Sequence, residues 1–259
     1  MMTENLTGKV ALVCGASAGI GRAAATALAE RGATVVALAR RESRLIELVA
    51  SLPGDDHRAL AADLDDRAGL SALIDSLLGE LGTVHILINN AGGPPAGPIL
   101  AAKEEEFLTA FGRHLFASHL LVQKLVPGMA AAGYGRIINV VSTSVREPIP
   151  NLGVSNTTRG AVASWAKSLS RELPSGITIN NVLPGFTNTE RLDGLRSAVS
   201  GRTGKTEEQV QAGWMAQVPE GRLILPEETA ATIAFLASPA AGGIRGVSLA
   251  VDGGRMRSI

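Results

Sequence analysis

The residues best placed to do chemistry are glycines. Cys14-Gly15-Ala16-Ser17-Ala18-Gly19-Ile20-Gly21 follows a short apolar run and opens a helical pattern. Glycines in such a loop permit φ > 0 and keep side chains away from backbone N–H groups, which can then reach phosphate oxygens. The helix N-terminus beneath adds partial positive charge. A lone glycine triplet is only a tight turn; between a strand and a helix it points to a pyrophosphate. Gly15, Ser17, Ala18, Gly19, Ile20 and Gly21 are the candidate cradle.

A second signal ends the next apolar run, Ala37-Leu38-Ala39-Arg40-Arg41. In dinucleotide-binding βαβ units a carboxylate at this point accepts from the ribose hydroxyls and repels a 2′-phosphate, and an arginine does the reverse. Ala39 offers no carboxylate, and two arginines follow. The expected cofactor is NADP rather than NAD, with Arg40 as the main phosphate ligand and Arg41 as the second. Four histidines and one cysteine show no metal-ligand spacing, so no metal is expected.

Elements must position these groups. Strands are expected at 10–14, 34–38, 58–61, 85–88, 136–141, 178–182 and 247–251, nearly continuous apolar runs suited to burial on both faces. Helices are expected at 20–31, 42–51, 67–80, 104–131, 155–172, 206–217 and 227–237. The alternation predicts an α/β class: one Rossmann-like, doubly wound parallel sheet of about seven strands over residues 1–259. The strandless stretch from 185 to 225 follows a strand end, where such sheets bind ligands, and 186–225 reads as a substrate lid. A formal net charge of zero argues against a nucleic-acid partner. No apolar run approaches the roughly 18 residues that span a bilayer. The start lacks the pattern of a signal peptide, and the lone Cys14 fits a reducing compartment, so a cytoplasmic protein is expected.

The G-x-x-x-G-x-G spacing resembles the fingerprint of the short-chain dehydrogenase/reductase family, with Cys14 where that family usually has threonine. Asn89-Asn90-Ala91-Gly92 looks like its N-N-A-G element, Pro184-Gly185-Phe186-Thr187-Asn188-Thr189 like its nicotinamide-side element, and Val251-Asp252-Gly253-Gly254 like its terminal strand. The resemblance spans residues 8 to 254. It implies cofactor contacts from Asn90, Ala91, Gly92, Pro184, Gly185, Thr187 and Thr189, and an adenine contact from Asp63 beside Leu64. It also implies an oxidoreductase acting on a small-molecule carbonyl or alcohol, and a homodimer or homotetramer. The 104–131 and 155–172 helices would pair between subunits through Ala161, Ala163 and Ala166.

The resemblance breaks at the catalytic positions. Ser142 matches the family's serine, but Ser155 stands at the tyrosine position, Arg159 at the lysine and His114 at the asparagine. Tyr134, the only tyrosine, precedes the fifth strand, at the wrong end of the sheet. A serine hydroxyl is too weak an acid to replace a phenol, and arginine stays protonated. Arg159 could still bind the nicotinamide ribose. Three readings stay open: an oxidoreductase with a rebuilt proton path, His114 being the candidate donor; an NADP-binding sensor or partner subunit; and a reductase of an activated double bond. The intact nicotinamide-side element and lid favour an oxidoreductase. Arg146, Glu147, Arg191, Arg196 and Arg202 are candidates to meet polar or anionic substrate groups.

Overall fold

A computed structural model describes residues 4–258. Seven strands form one sheet in the order β3-β2-β1-β4-β5-β6-β7, every neighbouring pair parallel. They are β1 Val10–Cys14, β2 Thr34–Ala39, β3 Arg58–Ala61, β4 Ile86–Asn89, β5 Gly135–Val140, β6 Ile177–Pro184 and β7 Ser248–Val251. Leu12, Val36, Leu38, Leu87 and Ile137 fill one face and Ala11, Val13, Val35, Ile86 and Ile138 the other, which is why the strands read as unbroken apolar runs. Against the first face pack α3 Arg67–Leu81, α5 Ala117–Ala131 and α6 Gly153–Glu172. Against the second pack α1 Gly19–Ala29, α2 Glu42–Ser51 and α9 Pro226–Ala237. This is one α/β domain, and the chain reverses direction across the sheet between β1 and β4. No helix among the described residues is long and apolar enough to cross a membrane.

The expected helix at 104–131 is two, α4 Glu104–Phe111 and α5, joined by a π-turn at Gly112–Phe116. Such a turn inserts an extra residue and often marks a functional position; this one carries His114 inward. The strandless stretch after β6 holds α7 Glu190–Thr203 and α8 Glu207–Met215. The first was missed because it has no apolar stripe; Leu192 is its one buried residue. Its end signals were present in the sequence. Thr189 Oγ1 accepts from Leu192 N at 3.3 Å, Glu190 and Asp193 lie in the first turn, and Gly204 at φ +69° closes the helix.

Three asparagines interrupt the apolar strands at one level. Asn89 Nδ2 donates to Asn139 Oδ1 at 2.8 Å, Asn139 Nδ2 to Asn181 Oδ1 at 2.9 Å, and Asn181 Nδ2 to Ser248 Oγ at 3.0 Å. The parallel register sets these residues side by side, so each amide donates to the next, and Asn89 Oδ1 at the start of the ladder is left without a partner among the described residues.

Candidate active site

A cleft of about 1030 Å³ opens along the C-terminal ends of the strands. Of the predicted cofactor residues only Gly21 does not line it. Gly21 acts from below: a Cβ there would lie 2.2 Å from Gly15 O, so helix α1 can approach the loop only without a side chain. Gly15 (φ +64°) and Gly19 (φ +52°) use backbone conformations that suit glycine. A Cβ on Gly15 would also meet Asn90 Nδ2 at 2.6 Å. Asn90 Nδ2 donates to Cys14 O at 3.3 Å, bracing the loop against β4. The N-cap of α1, Ala18, has no side-chain acceptor, so the first-turn N–H groups face the cleft without a protein cap. A glycine cradle, free helix donors and clearance for a close backbone approach fit the pyrophosphate of a dinucleotide. Cys14 lies beneath this loop, its thiol pushed up to about 12 by burial, and is therefore unreactive.

At the end of β2 the two arginines are held differently. Arg41 donates to Ser17 Oγ through Nε at 3.2 Å and Nη2 at 3.1 Å, and pairs with Glu190. Arg40 is mostly exposed and reaches Asp63 only at 3.8 Å. Arg41 is therefore the arginine fixed against the cradle and Arg40 the exposed outer one. Glu190, which the sequence reading did not single out, also takes Arg44 at 2.6 Å and ties α7 to α2.

Ser142, Ser155 and Arg159 meet in the inner cleft. Arg159 lies on α6 and turns under the end of β5: Nη1 donates to Val141 O at 2.6 Å and to Val140 O at 3.3 Å, and Nε to Ser155 Oγ at 3.2 Å. Nη2 has no partner among the described residues and approaches Gly93. Burial, and secondarily the charge of Arg191, push the guanidinium down to about 10, so it remains a cation at neutral pH. Ser142 Oγ accepts from Ser144 N at 3.1 Å. Its own proton has no acceptor among the described residues.

His114 is a correction. It was expected to face the cleft and titrate near neutrality, but it is buried, and with Asn89 and Ser118 it lines a cavity of about 20 Å³ that shares Asn90, Ala91 and Arg113 with the cleft wall. Burial first, then the charges of Arg159 and Arg113, push its imidazole down to about 3. It is neutral at physiological pH, and its Nε2 has no protein partner. Tyr134 sits at the opposite end of the sheet, where Oη donates to Ala237 O. Neither is an acid for the cleft.

Helices α7 and α8 form one wall, where Phe186 and Trp214 stack with ring centroids 5.0 Å apart. Arg191 and Arg202 line it. Arg196 does not: Asp193, Glu207 and Gln211 hold it. Arg146 and Glu147 also lie outside the cleft. Arg146 donates to Ser248 O, and Glu147 accepts from the backbone N–H groups of Arg257 and Ser258. Arg255, in the C-terminal tail, was not singled out by any motif. It lines the cleft, lies 4.9 Å over the Phe186 ring and donates to Thr143 Oγ1 at 3.0 Å.

A doubly wound sheet with a glycine cradle at its switch point defines a dinucleotide-binding α/β protein. Residues 15–255 match the family described as enoyl-(acyl carrier protein) reductase. The chain is 38% identical over 253 residues to the 3-oxoacyl-[acyl-carrier-protein] reductase FabG of Vibrio cholerae, covering 96% of this chain and 98% of that one. Among solved structures it is similar to the L-sorbose reductase of Gluconobacter frateurii complexed with NADPH and L-sorbose, with a TM-score of 0.91, 31% identity and full coverage of both chains. It is also similar to YwfH, an NADPH-dependent reductase involved in bacilysin biosynthesis, with a TM-score of 0.89, 30% identity and coverage of 97% and 99%. The chain belongs to the short-chain dehydrogenase/reductase family.

Proposed function

We propose that the chain is an NADP(H)-dependent oxidoreductase that transfers hydride between the cofactor and a small-molecule carbonyl or alcohol. In this reading Ser155 stands where the family pattern has a phenol, and the fixed cation Arg159 where it has an amine. The placement of Arg159 carries it: a buried guanidinium, anchored by Val141 O, holds Nη2 free in the cleft that contains the glycine cradle. The NADPH-dependent relatives and the pair Arg40–Arg41 at the ribose end support the choice of cofactor.

The nicotinamide, when bound, donates or accepts the hydride. The chain's residues do the rest. The cradle and the α1 N-terminus hold the pyrophosphate, Arg41 and Arg40 the 2′-phosphate, and Asp63 with Leu64 the adenine end. Asn90, Ala91 and Gly92 form the floor, and Pro184, Gly185, Thr187 and Thr189 the nicotinamide side. Ser142 Oγ–H donates to the substrate oxygen, and the positive charge of Arg159 stabilises through space the negative charge that develops there. Ser155 accepts from Arg159 Nε and fixes its orientation. With His114 neutral and Tyr134 remote, the proton reaches the substrate oxygen from solvent through Ser142.

One observation favours a second reading. Among the described residues the inner cleft holds a permanent cation but no acid that titrates near neutrality. An enolate is far less basic than an alkoxide and needs no phenol to protonate it as it forms, so reduction of a double bond conjugated to a carbonyl suits this site. Titration with NADPH and NADH, then turnover with 4-deuterated NADPH, tests both. Deuterium on the former carbonyl carbon supports the first reading, and deuterium on the β-carbon the second. Equal affinity for NADH overturns the cofactor assignment, and tight binding without turnover leaves a nucleotide-binding protein.

For assembly, α5 and α6 are proposed to pair between two subunits, with β7 extending the contact. Ala161 and Ala163 remain candidates for the seam. Ala166 does not, since it is buried within the subunit's own core. A monomeric mass in solution would refute the pairing.

A further inference from the structure

Two guanidinium groups converge in the inner cleft with no acid between them. A Cβ built on Gly93 would lie 3.4 Å from Arg159 Nη2 and 3.5 Å from Arg191 Nη2, so both cations reach the same point. Arg191 is held there from α7 by its bond to Pro94 O at 2.8 Å, and Arg159 from α6 by Val141 O at 2.6 Å. Like charges held this close repel unless an anion joins them. The repulsion is visible in Arg159, whose protonated form Arg191 disfavours.

The wider cleft repeats the asymmetry. Arg202 and Arg255 line the same compartment, and neither forms an ion pair among the described residues. Arg255 Nε is buried without a hydrogen-bond partner. The carboxylates lining the cleft are Asp63, at the ribose end, and Glu190, already committed to Arg41 and Arg44. The chain's formal net charge is zero, so the positive charge is local to this compartment and not a property of the whole surface. Beside the arginines, the stacked Phe186 and Trp214 with Leu195 and Val199 present an apolar wall.

We infer that the substrate is a small organic acid, its carboxylate seated between Arg159 and Arg191 over Gly93 and its apolar body against Phe186 and Trp214. The inference rests on the cleft being the active site proposed above. The pyrophosphate has its own donors at the α1 N-terminus, so the arginine pair is free for the substrate. A planar carboxylate offers two oxygens, one for each guanidinium, and these charge-assisted bonds are the strong ones. Bridging the pair also relieves their mutual repulsion, so acid binding is strongest when both arginines are present.

The test is calorimetric and does not depend on turnover. Cinnamate and 3-phenylpropanoate are titrated into the free and the NADP-loaded protein, and their amides, equal in shape and neutral, are titrated in parallel. The acids should bind on the order of tenfold to a hundredfold more tightly, the factor that charge-assisted hydrogen bonds contribute. Arg191→Gln should remove that preference while NADPH affinity, read by fluorescence, changes by less than about threefold. Arg191→Lys should keep part of the preference, and unchanged thermal melting of both variants shows that they fold. Acids and amides binding alike, or neither binding at millimolar concentration, overturns the inference. So does an Arg191→Gln variant that loses NADPH affinity as fully as acid affinity, which would give the arginine pair to the pyrophosphate. A protein that prefers the acids but ignores NADPH keeps the acid site and overturns the cofactor reading instead.

Discussion

The two halves of the cleft are built on different principles. At the nucleotide half, recognition is by backbone: glycines at 15, 19 and 21 clear a space, a helix N-terminus supplies donors, and Asn90 braces the loop. The inner half is lined by side chains from separate elements, with Arg159 from α6, Ser142 after β5, and Arg191 and Arg255 from α7 and the tail. At Gly15 and Gly21 a single Cβ would collide with main chain, so these two positions exclude a side chain. The side-chain half brings Ser142, Ser155 and Arg159 together from separate elements without interrupting the sheet.

The sharpest way to break this contrast is Gly21→Val. Its Cβ would sit 2.2 Å from Gly15 O, a clash with backbone that cannot rotate away. Overpacking typically costs about 1–3 kcal/mol, and a clash with main chain belongs at the upper end. Thermal melting should fall markedly and NADPH binding should be lost; normal melting and binding would show that α1 and the loop can separate. Arg159→Met follows. It should lower kcat on the order of a hundredfold or more, the scale seen when a donor to a developing oxyanion is removed. NADPH affinity should change far less, and equal losses in both would recast Arg159 as a cofactor ligand only.

Next is the ribose end. Arg41→Asp should shift the NADPH-over-NADH preference on the order of tenfold to a hundredfold, and Arg40→Asp by less, because Arg41 alone is anchored to Ser17. The reverse order would restore the expectation from sequence.

The fourth prediction concerns pH. Folding holds the His114 imidazole at about 3, below the 6.5 of an exposed one, mainly through burial and then through the charges of Arg159 and Arg113. Below pH 6.5 the unfolded chain therefore binds a proton that the folded chain does not. Its contribution to stability is complete above that pH and falls by about 1.4 kcal/mol per unit toward pH 3. His114→Asn should flatten the acid limb of the stability curve and leave the pH profile of kcat/KM near neutrality unchanged. A lost inflection near pH 6.5 in kcat/KM would return His114 to the role of proton donor. The smallest effect tests α7 itself. Gly194 has open space around its Cβ position, so Gly194→Ala should stabilise by about 0.5–1 kcal/mol if the segment is helical as described.

Most of the nucleotide half was legible because its signals are local. A glycine loop between strand and helix means the same thing wherever it occurs, and seven apolar runs alternating with helical patterns leave few topologies. The misses share one physical character. Helix α7 escaped because amphipathic periodicity reports burial, and this helix buries little. The π-turn at Gly112–Phe116 escaped because a register shift within a helix leaves no mark in residue types. The ladder's asparagines were present in three apolar strands, two of them adjacent in β6, but which ones meet needs the strand register.

The sequence by itself determined the class of fold and the glycine cradle, because both depend on residue types and spacings that are local along the chain. Tertiary structure alone decided which titratable groups share an environment. His114 became a buried neutral base because a π-turn placed it among apolar and cationic neighbours. Arg41 rather than Arg40 came to face the cradle because α7 delivered Glu190 beside it. Arg159 and Arg191, 32 positions apart in the chain, converge on one glycine. Charges act through space and screening, not along the chain, so their partners and their ionisation are settled only when the fold brings them together.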